Sequence, residues 1–465
     1  MSFRSVLAII AGKSIILLSR MMGNQGTDYA GRIALKIDPL LLRRLSAQIQ
    51  QYTIIITGTN GKTTTTNMIA AILQQAGLSY VHNRAGANMI SGITTAFIRS
   101  STLSGKCTLD CALLETDEAN VPLLMRELSP DYILITNFFR DQLDRYGELD
   151  TTIRLIRDGI AEVQPQILIN ADDPLQAHFR YSFPQRCQYY GFAPTAYDTD
   201  HSSDSREGRF CVNCGAELHY HSFHYAHLGL YRCPNCDNTN PPLDYCGEKL
   251  QLRETIDFSL NGMELSSPYQ GFHNAYNVLA AAALGQSLGI ADKQIQVAIE
   301  AYQPRAGRME KFRIQGQEVT LVLVKNPTGL DQSLSALQQD EQTKTLFFAL
   351  NDNAADGRDV SWIWDAEFES VAQPAAGIEY FVASGIRSGD IALRAKYAGL
   401  DQERILIESD LATGIAIAIR QPSATSYIFS TYTALFACRR ILQRYTKKFP
   451  NSQTMPERQQ GGENA

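Results

Sequence analysis

The densest chemistry in the sequence lies between Thr53 and Asn67, T-I-I-I-T-G-T-N-G-K-T-T-T-T-N, where an apolar run ends in two glycines, a lysine and four threonines. Gly58 and Gly61 permit a tight turn that aims successive backbone N–H groups, and the start of a following helix, at an anion. Lys62 supplies a mobile positive charge for the outer phosphates, and Thr63 or Thr64 offers a hydroxyl to Mg²⁺. Gly58, Thr59, Asn60, Gly61, Lys62, Thr63 and Thr64 therefore make a candidate cradle for a nucleoside triphosphate. The glycines stand three positions apart, closer than in the general phosphate-loop pattern. A Gly-rich hairpin with a solvated lysine is the plain alternative. The apolar run before the loop and the helical recurrence of Met68, Ile69, Ile72 and Leu73 after it favour phosphate binding.

A second constellation is Cys211-Val212-Asn213-Cys214 followed by Cys233-Pro234-Asn235-Cys236, a C-x2-C-x18-C-x2-C pattern within the spacing of a zinc ribbon. Each C-x-x-C presents two thiolates, and two such knuckles complete a tetrahedral S₄ set that suits zinc better than a redox pair or an iron–sulfur cluster. With no coordination position left open, such a Zn²⁺ is structural. His219, His221, His224 and His227 lie nearby and read as surface or packing residues.

The elements that must position these groups follow a strand-and-helix alternation. Strands are expected at Ile54–Ile56, Cys111–Leu114, Tyr132–Thr136 and Ile167–Asn170, each ending in a polar loop, which indicates a parallel doubly wound sheet with its site at the strand C-termini. Glu115, at the end of the second of these, is placed to hold Mg²⁺; Asp117 and Glu118 read as ordinary solvated acids. An Ala-rich helix over Val278–Leu288 opens at Gly271–Asn277, where Asn274 either reaches a nucleotide or caps the helix. Arg308 follows at a domain junction, where a guanidinium can reach phosphate oxygens. From about residue 317 a second, smaller α/β domain begins, with strands near Thr320–Val324, Thr345–Leu350, Tyr380–Val382, Ile405–Ile407 and Tyr427–Phe429. Its loop Asn351–Asp359 runs into Ser361-Trp362-Ile363-Trp364-Asp365, expected as a helix bearing both tryptophans. The loop is either an Asx-rich turn or a functional, partner-facing segment.

At 465 residues the chain exceeds one ordinary core. A net charge of −6 with interspersed signs speaks against nucleic-acid binding. Nine cysteines, four of them in the two pairs, indicate a reducing compartment rather than a disulfide scaffold. At the N-terminus Lys13 and Arg20 interrupt the apolar run, while Val6, Ile9, Ile10, Ile16 and Leu17 recur at helical spacing. That favours an amphipathic packing helix, with a membrane-surface helix as the second reading.

T-G-T-N-G-K-T-T, the strand ending at Glu115, T-N-x-x-x-D-Q-L-D from Thr136, I-N-A-D-D-P from Ile169, G-x-H-N-x-x-N over Gly271–Asn277 and G-R-M-E over Gly307–Glu310 occur in this order. The set resembles the Mur ligases, ATP-dependent amide ligases of the peptidoglycan peptide whose wider family includes folylpolyglutamate synthetases. N-D-N-x-A-D-G-R-D-x-S-W-I-W-D from Asn351, the cysteine insertion and the shortness of the segment ahead of the phosphate loop make it similar to one branch. That branch is the MurT-type ligase subunits of lipid II isoglutaminyl synthase. One departure is Lys325-Asn326-Pro327, which stands where Mur ligases carry D-Y-A-H-x-P.

The resemblance implies an N-terminal helical segment at 1–50 and a P-loop doubly wound Mur-ligase central domain at 51–315, with a zinc-ribbon insertion at 205–245. A smaller Rossmann-like α/β domain at 316–445 and a disordered tail at 446–465 complete it. It further implies ATP and Mg²⁺ as cofactors, nucleotide contacts from Asn274 and Arg308, and catalysis by Lys62 and Glu115. The partner it implies is a GatD-type glutamine amidotransferase in a heterodimer, whose Cys-His pair would be completed by Asp359 in preference to Asp356. The acceptor it implies is lipid II, which would place the chain in the cytoplasm, peripheral to the inner face of the membrane. A folylpolyglutamate-synthetase-like amino-acid ligase is the second reading, and a nucleotide-gated scaffold subunit the third.

Overall fold

The computed structural model describes residues 2–21, 28–83, 87–139, 149–200, 207–253, 255–302, 308–338 and 340–448. These divide at Tyr302 into two compact units. The D-Q-L-D part of one motif and the tail from 449 on lie outside the described residues.

In chain order the strands of the first unit are β1 (Tyr52–Thr57), β2 (Tyr80–His82), β3 (Cys111–Glu115), β4 (Tyr132–Ile135), β5 (Gln166–Asn170), β6 (Cys187–Phe192), β7 (His219–Tyr225), β8 (Leu228–Arg232), β9 (Tyr245–Leu252), β10 (Ile256–Leu260) and β11 (Met263–Ser267). Nine of these form one sheet in the order β11-β10-β9-β6-β5-β4-β1-β3-β2, while β7 and β8 pair as a separate hairpin. From β9 to β2 every pairing is parallel; β10 and β11 extend one edge antiparallel, so the parallel sheet expected from the alternation is a mixed one.

Alternate residues of the central strands enter two cores. Ile54, Ile56, Leu113, Leu134 and Leu168 pack with the helices Lys62–Gln75 and Phe272–Ser287. Ile55, Leu114, Ile133, Ile135, Ile167 and Ile169 pack on the opposite face with the helices Phe3–Met21, Ile90–Ser100 and Leu149–Val163. Being covered on both faces is why these strands read as unbroken apolar runs, and each fully buried Ile or Leu contributes about 1.5–3 kcal/mol of transfer free energy. The N-terminal helix packs on this second face, with only part of the expected row turned inward. Ile9 and Ile16 are buried, whereas Ile10 and Leu17 point outward at 44% and 61% exposure.

The second unit holds β12 (Arg308–Ile314), β13 (Gln317–Leu323), β14 (Lys344–Ala349), β15 (Ile378–Ser384), β16 (Ile405–Ile407) and β17 (Thr425–Ser430), in the order β12-β13-β17-β14-β15-β16. All pairings but β12–β13 are parallel, and helices such as Pro327–Gln338, Leu411–Arg420 and Tyr432–Lys448 cover the sheet. The expected tryptophan helix is a single 3₁₀ turn, Ser361–Trp364.

Candidate functional site

β1 ends in a loop whose glycines are required by shape. Gly58 has φ 119° and Gly61 φ 82°, values that favour glycine, and a Cβ would collide with Thr136 at the first and with Asn277 at the second. The loop is pinned from the neighbouring strand end. Thr59 N donates to Asn137 O at 2.9 Å and Asn60 N to Asn137 Oδ1 at 2.9 Å, while Thr136 Oγ1 donates to Asn60 O at 2.7 Å. Thr59 Oγ1 accepts from Phe139 N and donates to Phe139 O, both at 3.1 Å. Gly61 then caps the helix Lys62–Gln75 with no side-chain acceptor, and the first-turn amides of a helix, which look outside it for acceptors, suit an anion.

Around this helix start the acids sort themselves. Thr63 Oγ1 donates to Glu115 Oε1 at 2.7 Å, and Asn88 Nδ2 donates to the same oxygen at 2.8 Å. Asn83 holds the Glu115 backbone at both ends, its Oδ1 accepting from Glu115 N at 2.9 Å and its Nδ2 donating to Glu115 O at 2.7 Å. Thr64 instead turns into the core, 1% exposed, its hydroxyl without a partner among the described residues. Thr63 and Glu115 are thus the pair brought together at the sheet's C-terminal edge, a hard-oxygen set that fits Mg²⁺ shared with phosphate oxygens.

Glu118 is a buried acid beside the phosphate loop that its own loop sequence conceals. Read as a solvated loop acid, it is 4% exposed and both its carboxylate oxygens lie 3.3 Å from Lys62 Nζ, itself 7% exposed. Lys62 also donates to Gly58 O at 2.5 Å and stands 3.9 Å from Asp117. Glycine-free, acid-rich loop sequence carries no signal that separates a solvated carboxylate from one facing a buried cation. Deleting one partner of a buried pair strands the other, so Glu118→Ala should cost roughly 3 kcal/mol of stability, read by denaturant unfolding. Adding Lys62→Met to it should recover part of that loss; strictly additive losses would show that the two charges are not coupled.

The helix Phe272–Ser287 reaches the loop through Asn277. Thr65 Oγ1 donates to Asn277 Oδ1 at 3.3 Å, and Asn277 Nδ2 donates to Asn274 Oδ1 at 3.0 Å. Asn274 does not cap this helix, whose N-cap is Gly271; its Nδ2 donates to Gln270 O at 2.8 Å. Asn274 therefore belongs to a polar string running to the phosphate loop, with Asn277 as the link. Arg308 opens β12, and its side chain lies outside the described residues.

The four cysteines converge. Their Sγ atoms lie within 4.8 Å of one another, with Cys214 and Cys233 at 3.4 Å and Cys211 and Cys236 at 3.6 Å; an S₄ zinc site with bonds of about 2.3 Å has edges of about 3.8 Å. Backbone N–H groups of Asn213 and Asn235 donate to Cys211 and Cys233, each at 3.4 Å. Burial raises the Cys211 thiol, but the Asn213 N–H and the Asn238 amide overcome it and bring it down to about 6; burial holds Cys233 up at about 11. The donor set thus fits a thiophilic cation. Of the nearby histidines, His219 and His221 are exposed. His224 Nδ1 meets Asp198 at 2.7 Å and His227 Nε2 meets Asp173 at 3.3 Å, both rings buried.

This insertion is built into the nucleotide side of the sheet. His227 packs on Phe139, ring centroids 4.6 Å apart, and His224 on Phe272 at 5.9 Å. Gly229 N donates to Asp172 O at 2.9 Å. Asp172, whose carboxyl burial pushes above its usual range, accepts from Phe192 N at 2.9 Å and from Tyr276 Oη at 2.8 Å.

In the second unit Asn326 is buried and its Oδ1 accepts from Gly329 N at 2.8 Å, so the residue after Lys325 is a helix cap where the Mur pattern differs. Asp356 is 4% exposed and fully engaged, accepting from Thr433 N at 2.7 Å and Thr433 Oγ1 at 2.5 Å. Asp359, half-buried, accepts from Ser361 N at 2.8 Å in an Asx turn. Asp356 ties the loop to the helix Tyr432–Lys448, and Asp359 stands at the loop's outer end.

Comparison with known proteins places both units. The Mur ligase middle domain model matches residues 56–285 and the MurT ligase C-terminal model residues 323–435. The chain is 36% identical over 436 residues to the lipid II isoglutaminyl synthase (glutamine-hydrolyzing) subunit MurT of Staphylococcus aureus, covering 94% of this chain and 96% of that one. It is 35% identical to the Streptococcus pneumoniae subunit of the same name, covering 95% and 98%. Among solved structures, a pseudomurein peptide ligase type C from Methanothermus fervidus superimposes with a TM-score of 0.67 at 21% identity, over 86% of this chain and 80% of that one. MurF ligase from Thermotoga maritima in complex with ADP does so with a TM-score of 0.61 at 13% identity, over 89% and 84%. Both share the fold.

Proposed function

The chain belongs to the family of MurT subunits of lipid II isoglutaminyl synthase, and on that premise we propose that it is the ATP-dependent ligase subunit that amidates lipid II in peptidoglycan synthesis. The observation that carries this reading is the convergence of Lys62, the open helix start and the Thr63–Glu115 pair at one strand edge. Lys62 and the first-turn amides hold the β- and γ-phosphates of ATP, and the Asn274–Asn277 string orients the nucleotide; Arg308 is a nucleotide contact on the family resemblance alone. Thr63 and Glu115 would hold Mg²⁺, which supplies charge neutralisation to the phosphates. Positioning and electrostatics then let the D-glutamate α-carboxylate of lipid II attack the γ-phosphorus, giving an acyl phosphate and ADP. Ammonia attacks the acyl carbon, phosphate leaves, and a proton is lost to yield D-isoglutamine.

The ammonia comes from a GatD-type glutamine amidotransferase in a heterodimer, to whose Cys-His pair Asp359 supplies the third member. Asp359 suits that role because Asp356 is spent on Thr433. The site of action is the cytoplasmic side of the membrane, where the lipid-linked acceptor is met. Among the described residues no helix is long and apolar enough to cross a membrane. The cysteine cluster holds a structural Zn²⁺ as a zinc ribbon.

The decisive experiment combines the chain with partner, lipid II, ATP and glutamine. Phosphate release coupled to a mass decrease of about one dalton on the lipid, the change from carboxylate to amide, is expected, and its absence would sink the ligase reading. Asp359→Asn should lower glutamine-dependent amidation by about 10²-fold or more while sparing ammonia-dependent amidation. An equal loss of both would move Asp359 into the ligase chemistry.

A further inference from the structure

The helix Phe3–Met21 presents an apolar face to the outside. One side of it is accounted for: Ser5, Ala8, Ile9, Gly12 and Ile16 are buried in the ligase unit. On the other side Phe3, Leu7, Ile10, Leu17, Leu18 and Met21 are exposed, from 44% at Ile10 to 83% at Phe3. Their spacing follows the helical repeat, so they form one stripe along the length of the helix. Surface helices normally show charge on that side. Scattered exposed apolar side chains are ordinary, whereas an aligned row marks a surface that meets something.

The charge around the stripe says what it meets. Residues 1–50 carry seven Lys or Arg against two Asp, in a chain whose net charge is −6. Arg4 is exposed on the stripe's own helix, and the helix Tyr29–Ile37, packed beside it, exposes Arg32 and Lys36. Next to the helix start, Ser2, Arg44, Gln48 and Lys106 line an open depression of about 660 Å³, where Arg44 is already paired with Asp38 at 2.7 Å. A second copy of the chain would set this basic segment against itself, which argues against a symmetric dimer through the stripe. An apolar row flanked by cations matches an anionic lipid surface instead, and a helix that cannot span a bilayer lies in its interface plane.

We propose that the outward face of the helix Phe3–Met21 is a membrane-docking surface, its apolar row seated at the acyl boundary of an anionic leaflet and the flanking Lys and Arg on the lipid phosphates. This rests on the reading of a lipid-linked acceptor and deepens it: docking confines the ligase unit to the plane in which its substrate diffuses.

The test uses the full chain with its partner and vesicles of phosphatidylcholine, alone or mixed with phosphatidylglycerol. Co-sedimentation with the mixed vesicles is expected to exceed that with phosphatidylcholine by about tenfold and to weaken with added salt. Leu17→Glu with Leu18→Glu, both on the exposed row, should lower partitioning by about tenfold or more while ammonia-dependent amidation of detergent-solubilised lipid II is retained. A parent protein that ignores anionic vesicles, or a double variant that binds them equally well, overturns the proposal. So does sedimentation equilibrium showing a dimer that the same substitutions dissolve. A parent protein that docks but never amidates the detergent-solubilised lipid would instead remove the functional reading and leave the docking result standing.

Discussion

Lys62→Ala is expected to lower amidation by about 10³-fold or more while leaving association with the partner intact. The size follows from how little else in the loop carries positive charge. Gly58, Thr59, Asn60 and Gly61 offer only backbone dipoles, two of which are spent on Asn137, and Lys62 is the ionised donor at the helix start. Charge that builds on the phosphates during transfer is met by the ammonium more strongly than ground-state charge is, so kcat should fall by more than the KM for ATP rises. Lys62→Arg should fail to rescue, because the site is shaped around a point donor 2.5 Å from Gly58 O and 3.3 Å from Glu118, and a planar guanidinium is both longer and wider than the ammonium it would replace. The association measurement separates this from simple unfolding, since loss of Lys62 leaves the buried Glu118 without its cation. A variant that keeps turning over would mean that the loop does not hold the reacting phosphates.

Those same residues mark where the sequence was informative. Strands buried on both faces write themselves as apolar runs, so β1, β3, β4 and β5, and Glu115 at the end of one, were legible from composition alone. β9, β10 and β11 were not. They make up one end of the sheet, closing at the edge strand β11, the pairing of β9 with β10 shifts register between Asp257 and Ser259, and Gly247 interrupts the first of them. The choice between Thr63 and Thr64 turned on which way a single helical step faces the sheet, something that a run of four threonines cannot state. Asn277 stood within a recognised motif, yet its task depends on meeting Thr65 from 212 positions away. Ile10 and Leu17 misled for the opposite reason: apolar residues at helical spacing announce an apolar face, and only packing tells whether that face points into the core or out of it.

Loss of the metal from the cysteine cluster is expected to damage nucleotide binding as well as stability. A structural S₄ zinc site contributes on the order of 10 kcal/mol to the folding of the segment that carries it, and beyond the sulfurs the insertion's small core holds little more than Leu218 and Tyr231. The segment it orders does not stand apart. Through His227 it supports Phe139, whose backbone grips the Thr59 hydroxyl, and through His224 it packs on Phe272 at the start of the helix that bears Asn274 and Asn277. Purified protein should carry about one zinc per chain, and a content well below that contradicts the assignment. Cys233→Ala, or extraction with a strong chelator, should lower the melting temperature of the ligase unit and weaken ATP binding by about tenfold or more. Zinc, not magnesium, should restore the chelated protein, whereas no metal should restore Cys233→Ala. If instead the metal-free protein unfolded earlier but bound ATP with unchanged affinity below its transition, the insertion would be a local staple. The contacts from His227 to Phe139 and from His224 to Phe272 would then not be what sets the loop.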